Sequence, residues 1–308
     1  MIHIKDILFP TDFSDCSREA LKYAVRLCGM FDAKLHILHV ITLFGENAGK
    51  AREGFPNTEK LIQYYEEQSQ YELEEIGKVT KNHNVDCLKD SVKGYSVAEE
   101  ILAYEKKNKA DMIVMGTHGR RMLSHFILGS VAEKTVRLST CPVMTVNMSG
   151  KFFDIVDDFK RILVPLDFSE YSKAGLKYGI EIARKFGAHL DIIHVFEAYS
   201  HPMMYLYGAE SILEFNPDIK NKSEKIIEKE VESIDPGFKQ FTPFVADGKP
   251  NREIISHAEK RDIDLIVLST RGLGTVQTFF IGSTADRIIR KSKCPVLAVK
   301  EHERECIS

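Results

Sequence analysis

The sequence predicts an α/β protein of two tandem, doubly wound domains, each a parallel sheet flanked by helices. Three observations predict it. The chain repeats itself once over nearly its whole length. Within each half, short apolar runs alternate with amphipathic ones, and glycines gather where the apolar runs stop.

The repeat carries the domain organisation. "ILFPTDFSDCSREALKYAVRLCGMFDAKLHILHV" (7–40) aligns without a gap on "ILVPLDFSEYSKAGLKYGIEIARKFGAHLDIIHV" (162–195). "ADMIVMGTHG" aligns on "IDLIVLSTRG", and "ILGSVAEKTVRLSTCPVMTV" on "FIGSTADRIIRKSKCPVLAV". A period this long means two duplicated domains rather than a solenoid of short units. The seam falls in the polar and acidic stretch 147–160. The expected domains are 1–149 and 159–308, with a linker at 150–158.

Each element of a half follows in order. "DILFP" is short, apolar and stopped by proline, so it reads as a buried strand. "SDCSREALKYAVRLCGMF" sets Ala20, Leu21, Ala24, Val25 and Leu27/Cys28 at helical spacing behind a serine or aspartate cap. "AKLHILHV" is a second strand. A long polar helix around "EKLIQYYEEQSQYELEEIGKVT" leads to a third strand near "DCLKDSV". The helix "SVAEEILAYEKK", the strand "ADMIVMG", a helix after Gly129 and the strand "CPVMTV" complete the half. Alternation of this kind with apolar strands implies a parallel sheet covered on both faces.

Bulk properties narrow the function. With 44% hydrophobic and 28% charged residues the 308-residue chain has a globular composition and room for about two domains. A net charge of −3, with acids and bases interspersed, gives no general attraction to nucleic acid or anionic membrane. No apolar run is long enough to span a bilayer. The opening "MIHIKDILFPTDFSD" has no long apolar core or cleavage site, so the expected compartment is the cytoplasm. Cys16, Cys28, Cys87, Cys141, Cys294 and Cys306 form no C-x-x-C pair, which speaks against zinc or redox motifs and for small buried hydrophobes.

In open parallel sheets, ligands bind beyond the carboxyl ends of the strands, where strand order reverses. Asp12, Val40, Gly116 and Gly119 fall at or just after predicted strand ends, and Gly129 and Ser130 at a helix start. Glycine lets backbone approach a ligand, and a helix amino terminus presents unpaired N–H groups suited to phosphate. Ser130 can cap that helix or donate to a phosphate oxygen, His118 is a candidate phosphate contact, and Arg120 and Arg121 add positive charge to the loop. The spacing is neither that of a Walker loop nor that of a dinucleotide fingerprint. Glycines after strands also serve plain turns, but the whole constellation occurs in both halves, which favours ligand binding.

The pattern G-x2-G-x9-G-[ST], preceded by a strand ending P-x-D and followed by C-P-V, resembles the universal stress protein family in its tandem two-domain form. The resemblance covers nearly the whole of both halves. It implies a five-stranded parallel sheet per domain, of the flavodoxin- or Rossmann-like, adenine nucleotide alpha hydrolase-like kind. It also implies an ATP, ADP or AMP site with magnesium or manganese bridging the phosphates and no metal held by protein alone. Thr11, Asp12 and Val40 would line the adenine and ribose end, Met115, Gly116 and Gly119 the ribose and phosphates, and Gly129, Ser130 and Val131 the phosphate. The last strands "CPVMTV" and "CPVLAV" would pair within one chain, with a homodimer also open.

The second half departs from the pattern. Ser269 stands where the first half has Gly116, while Asp167, Val195, Gly272, Gly282, Ser283 and Thr284 keep their places. The loop "GLGTVQTFF" lacks the two arginines, and Arg271 takes the place of His118. A serine at 269 is expected to crowd the ligand, making the second site the weaker one.

His39 and His194 end the second strand of each half and read as packed, hydrogen-bonded side chains. The apolar segment 201–215 reads as a packing helix rather than a lid. Asp12 is the one well-placed carboxylate, and no nucleophile–base pair accompanies it, so ATP hydrolysis is expected to be slow at most. The leading expectation is a nucleotide-binding stress or regulatory protein. A hydrolysing or phosphate-transferring enzyme, and a scaffold for another ligand or a protein partner, are the alternatives.

Overall fold

A computed structural model of the chain describes residues 2–42, 58–119, 128–148, 158–197, 213, 216, 218–272 and 281–300. Two compact units emerge, one over His3–Val156 and the other over Asp157–Glu303. The segment 150–158 therefore lies almost wholly outside the described residues, as do Arg120, Arg121 and most of 201–215.

The first unit runs β1 (Asp6–Thr11), α1 (Asp15–Phe31), β2 (Lys34–Thr42), α2 (Thr58–Asn82), β3 (Cys87–Gly94), α3 (Val97–Asn108), β4 (Met112–Gly116), α4 (Ser130–Leu138) and β5 (Val143–Val146). Its strands are all parallel and lie in the order β3-β2-β1-β4-β5. The second unit repeats the plan with β6 (Arg161–Pro165), α5 (Glu170–Phe186), β7 (His189–Glu197), α6 (Asp218–Ile234), β8 (Phe241–Gly248), α7 (Pro250–Lys260), β9 (Leu265–Ser269), α8 (Ser283–Lys291) and β10 (Val296–Val299). Its order is β8-β7-β6-β9-β10, again parallel. Among the described residues no helix is long and apolar enough to cross a membrane.

Local sequence explains the matching ends of α1 and α5. Ser14 and Ser169 cap them, each side chain accepting from the amide three residues on, Ser17 N and Ser172 N. Asp32 at φ 56° and Gly187 at φ 65° close them in the left-handed conformation, returning their amides to Cys28 O and to Ala183 O and Arg184 O. The buried face of α1 is Cys16, Ser17, Ala20, Leu21, Ala24, Val25, Leu27 and Cys28, the stripe that the periodicity predicts with two residues added at its start. Beneath it Ile7, Leu8 and Phe9 of β1 are fully buried.

β3 departs from the expectation of continuous apolar strands. It is the outer strand of its sheet as described within the unit, and most of its residues are exposed. Polar residues there leave an outer strand less prone to pair with other chains.

The register opens the sheet where the site is expected. β1 pairs with β4 only at Ile7↔Met112 and Leu8↔Ile113, although the strands continue to Thr11 and Gly116. β6 and β9 likewise pair only at Ile162↔Leu265 and Leu163↔Ile266. In both units the chain order reverses between these two strands, so the splayed carboxyl ends form a crevice.

Candidate functional site

In the second unit this crevice is a cavity of about 510 Å³. Asp167, Val195, Ser269, Gly272, Gly282, Ser283 and Thr284, the residues that the sequence assigns to the second half, all line it. Apolar walls come from Phe196, Ile254, Leu268 and Ile288, and charge comes from Asp167, Glu197 and Arg271. The volume lies within the range of small-molecule and cofactor sites.

Asp167 follows β6 and is fixed by the turn into α5. Its Oδ1 accepts from Ser169 N at 3.0 Å and from Ser169 Oγ at 2.5 Å. Asp12 makes the same turn in the first unit, accepting from Ser14 N at 3.1 Å and Ser14 Oγ at 2.6 Å. The other oxygen of each carboxylate reaches across to the loop after β4 or β9. A Cβ added at Gly119 would stand 2.6 Å from Asp12 Oδ2, and one at Gly272 would stand 2.5 Å from Asp167 Oδ2. Glycine is needed at these two places because a carboxylate already occupies the space.

Gly116 has a different reason from the one expected. Its missing side chain faces α1: a Cβ there would come 2.9 Å from Cys16 Sγ and 3.1 Å from the Cys16 backbone. The second unit differs at this helix–strand contact. Ser269 replaces the glycine, and Gly175 on α5, where the first half has Ala20, would place a Cβ 3.3 Å from Ser269 N. The Ser269 hydroxyl accepts from Arg271 N at 3.2 Å, which holds it on its own loop.

Not every amide of the motif is open to a ligand. Thr117 N donates to Val146 O at 3.0 Å and Gly129 N to Thr117 O at 2.8 Å. Thr270 N and Gly282 N donate in the same way to Val299 O and Thr270 O. These bonds tie the start of α4 and α8 to the ends of β4 and β9. The amides that find no acceptor among the described residues are the next ones, in the first turns of α4 (Ser130, Val131, Ala132) and α8 (Ser283, Thr284, Ala285). The glycine caps lack a side chain to satisfy them.

Thr11 is buried, and its hydroxyl is engaged by Phe13 N at 3.0 Å and by Ser17 Oγ at 3.1 Å, so it supports the turn. Met115 is buried in the sheet, and Val40 is buried near the end of β2, which runs on to Thr42 beyond the end expected from the sequence. His118 Nδ1 lies 2.8 Å from the Thr117 hydroxyl. Arg120 lies outside the described residues.

Two features escaped the sequence reading. Phe13 and Phe168 hold φ of 62° and 64°, and each packs its ring 4.4 Å from that of His39 or His194. The histidines donate Nδ1–H to Thr11 O and Leu166 O, both at 2.8 Å. Burial holds His194 below its ordinary pKa, against the opposing effects of the Leu166 carbonyl and Asp167, and so favours the neutral ring. The repeated "DFS" was the available signal. The second feature is the contact of Arg271 with Tyr171, whose ring lies 5.7 Å below the guanidinium carbon. Cys28 and Cys294 are inert thiols: burial raises the first steeply and pushes the second up to about 11.

Fold and crevice together define a tandem Rossmann-like α/β protein of the adenine nucleotide alpha hydrolase-like kind. The model of the universal stress protein family matches residues 3–147 and again 158–300, and the chain belongs to that family. One relative, Universal stress protein MJ0531 of Methanocaldococcus jannaschii, is 35% identical over 147 residues, spanning 48% of this chain and 84% of its own. Universal stress protein YxiE of Bacillus subtilis is 29% identical over 147 residues, spanning 46% of this chain and 99% of its own. Both relatives correspond to one half. A universal stress protein of Archaeoglobus fulgidus is similar over both halves, with 24% identity and a TM-score of 0.70 over 96% of this chain and 98% of that one. That last likeness concerns fold.

Proposed function

We propose that the chain is an adenine-nucleotide-binding regulatory protein acting in stress response, with ATP, ADP or AMP held at the crevice of each domain. The observation that carries this reading is the coincidence, in the second domain, of a cavity of about 510 Å³ with the open amides of the first turn of α8. An apolar wall suits a base, and a helix amino terminus suits phosphate.

The roles follow from position. Val195 and Phe196 meet the base, Asp167 accepts from the ribose hydroxyls, and Ser283, Thr284 and the neighbouring amides hold phosphate oxygens. In the first domain Val40, Asp12, Ser130 and Val131 take the same roles. The sequence ranks the first site above the second because of Ser269, yet the serine is tied to Arg271 N and the helix opposite has shed its methyl at Gly175. We therefore propose two working sites rather than one.

Among the described residues no group of three histidines, cysteines or acids can hold a metal. A divalent ion that arrives with the nucleotide fits these residues, since magnesium takes most of its ligands from phosphates and water. When bound, such an ion would supply positive charge to the phosphates. Asp167 already accepts two hydrogen bonds from Ser169, so it orients a ligand better than it abstracts a proton. Hydrolysis is accordingly slow at most.

Gentle denaturation of the purified chain followed by mass spectrometry tests the reading. Adenine nucleotide should be released, or should bind on addition to stripped protein. A chain that neither carries nor takes up adenine nucleotide would overturn it, and steady phosphate release abolished by Asp12→Ala would shift it to an enzyme.

A further inference from the structure

We infer that Glu197, at the outer end of β7, makes the second crevice selective for a base with an exocyclic amino group, and so for adenine over a 6-oxo purine. This rests on the nucleotide reading of that crevice and adds the residue that reads the base. Alternation along β7 sets the side on which Glu197 stands. Asp191 meets His257 Nε2 at 3.0 Å and Arg261 Nε at 3.2 Å, on and just after α7, so the odd-numbered residues of β7 face that helix. Val195 and Glu197 therefore share the α7 side, and both line the cavity together with Pro250 and Ile254 of α7. Glu197 lies two residues beyond Val195, about 7 Å further out along the strand.

Strand order sets the direction of the ligand. In β8-β7-β6-β9-β10 the crevice opens between β6 and β9, with β7 on one flank and α8, which follows β9, on the other. A phosphate held by the first turn of α8 turns the far end of its ligand toward β7. A base resting on Val195 brings its ring substituents within reach of Glu197. The Glu197 side chain is exposed and engages no described residue in a hydrogen bond or ion pair. A carboxylate only accepts hydrogen bonds, so it bonds the amino group of adenine and meets the carbonyl of a 6-oxo purine with no proton between them. The halves differ at this place. Val40 aligns on Val195, and Thr42 pairs with Gly94 in the ladder as Glu197 pairs with Gly248. The threonine hydroxyl donates as well as accepts, so it serves an amino or an oxo group alike. The first crevice is thus the tolerant one and the second the strict one.

The test is a methyl-NMR titration of the full-length chain with ATP and with inosine triphosphate, which carries an oxo group in place of the amino group. Val195 and Ile288 methyls report the second crevice, and Val40 and Val131 methyls report the first. In the natural chain ATP should shift the second-crevice methyls at lower concentration than inosine triphosphate, by a wider margin than at the first crevice. In Glu197→Thr that margin should shrink roughly tenfold, with the first-crevice response untouched. Glu197→Gln should narrow it as well, because an amide also donates. Loss of a negative charge alone would strengthen both triphosphates together and leave their ratio unchanged. The methyl spectrum of each ligand-free variant checks that it is folded. If ATP binds at the second crevice and Glu197→Thr leaves the ATP-to-inosine-triphosphate ratio unchanged, the inference fails while the nucleotide reading stands. If ATP moves only the first-crevice methyls, or the natural second crevice takes both triphosphates alike, the inference fails too. If no nucleotide moves either set, the nucleotide reading itself is lost.

Discussion

At Gly119 the carboxylate of Asp12 comes within 2.6 Å of the place a side chain would begin, so the glycine and the aspartate are one device. Gly119→Ala forces that carboxylate aside. Because Asp12 is only half-buried, the stability loss should be about 1–2 kcal/mol, read from the denaturation midpoint. ATP affinity at the first crevice should fall by about tenfold, since the oriented acceptor is lost. Ser269→Gly gives a sharper contrast. A crowding serine would make this change improve the second site, whereas a serine that holds Arg271 N makes it worse. We expect weaker ATP binding and a loss of about 1 kcal/mol, checked by titration and by urea unfolding. The positions of these glycines were legible in the sequence, but the atoms they make room for were not. Cys16 faces Gly116 across a hundred residues of chain, and nothing in local spacing announces that contact.

Among the elements, the short pairing of β6 with β9 opens the crevice, and a buried ion cluster fixes one wall of it. Asp191 on β7 is fully buried and meets His257 Nε2 at 3.0 Å, Arg261 Nε at 3.2 Å, Arg161 Nη1 at 3.4 Å and His189 Nε2 at 3.7 Å. Burial alone would raise its pKa, but the hydrogen bonds from His257 and Arg261 and the charges of Arg261 and Arg161 outweigh it and hold the carboxylate below its ordinary 3.8. His257 sits on α7, whose Pro250 and Ile254 line the cavity, so the cluster ties that helix to the sheet. Asp191→Ala should cost about 2–3 kcal/mol, less than for a fully buried set because the partners reach solvent, as measured by urea denaturation. The acid profile has a defined sign. His194 has a folded pKa below its ordinary 6.5, so its contribution is whole above that pH and is lost as pH falls beneath it. Asp191, with a folded pKa below 3.8, keeps its contribution until pH falls under that value. Thermal midpoints should therefore begin to drop just below pH 6.5, and His194→Gln should flatten that first step.

The molecule taken whole is one domain plan written twice, with its buried polar pairs rewritten. Asp6 and His36 form a pair at 2.8 Å, beside Tyr104, in the first unit; Arg161, Asp191 and His257 hold the matching places in the second. The acid and its partner have exchanged strands, and each unit keeps its own hydrogen-bonded set. The succession of strands and helices along the chain was legible from the repeat, because apolar periodicity and glycine punctuation carry it directly, whereas the order of the strands within each sheet was not. Polar β3 was placed correctly, although its exposure follows only from its being the outer strand paired to β2. The Arg271–Tyr171 contact was not legible, since it joins a loop to the first turn of a helix and leaves no periodic trace.

One experiment bears on all of this: calorimetric titration of nucleotide-free, full-length protein with magnesium ATP, repeated on Gly129→Val and Gly272→Val. A Cβ at Gly129 would press to 3.0 Å from Thr117 O, and one at Gly272 to 2.5 Å from Asp167 Oδ2, so each change disturbs one crevice. We predict two equivalents of ATP per natural chain and one per chain of either variant. An absence of saturable heat in the natural chain, or a stoichiometry that neither substitution alters, would contradict the account.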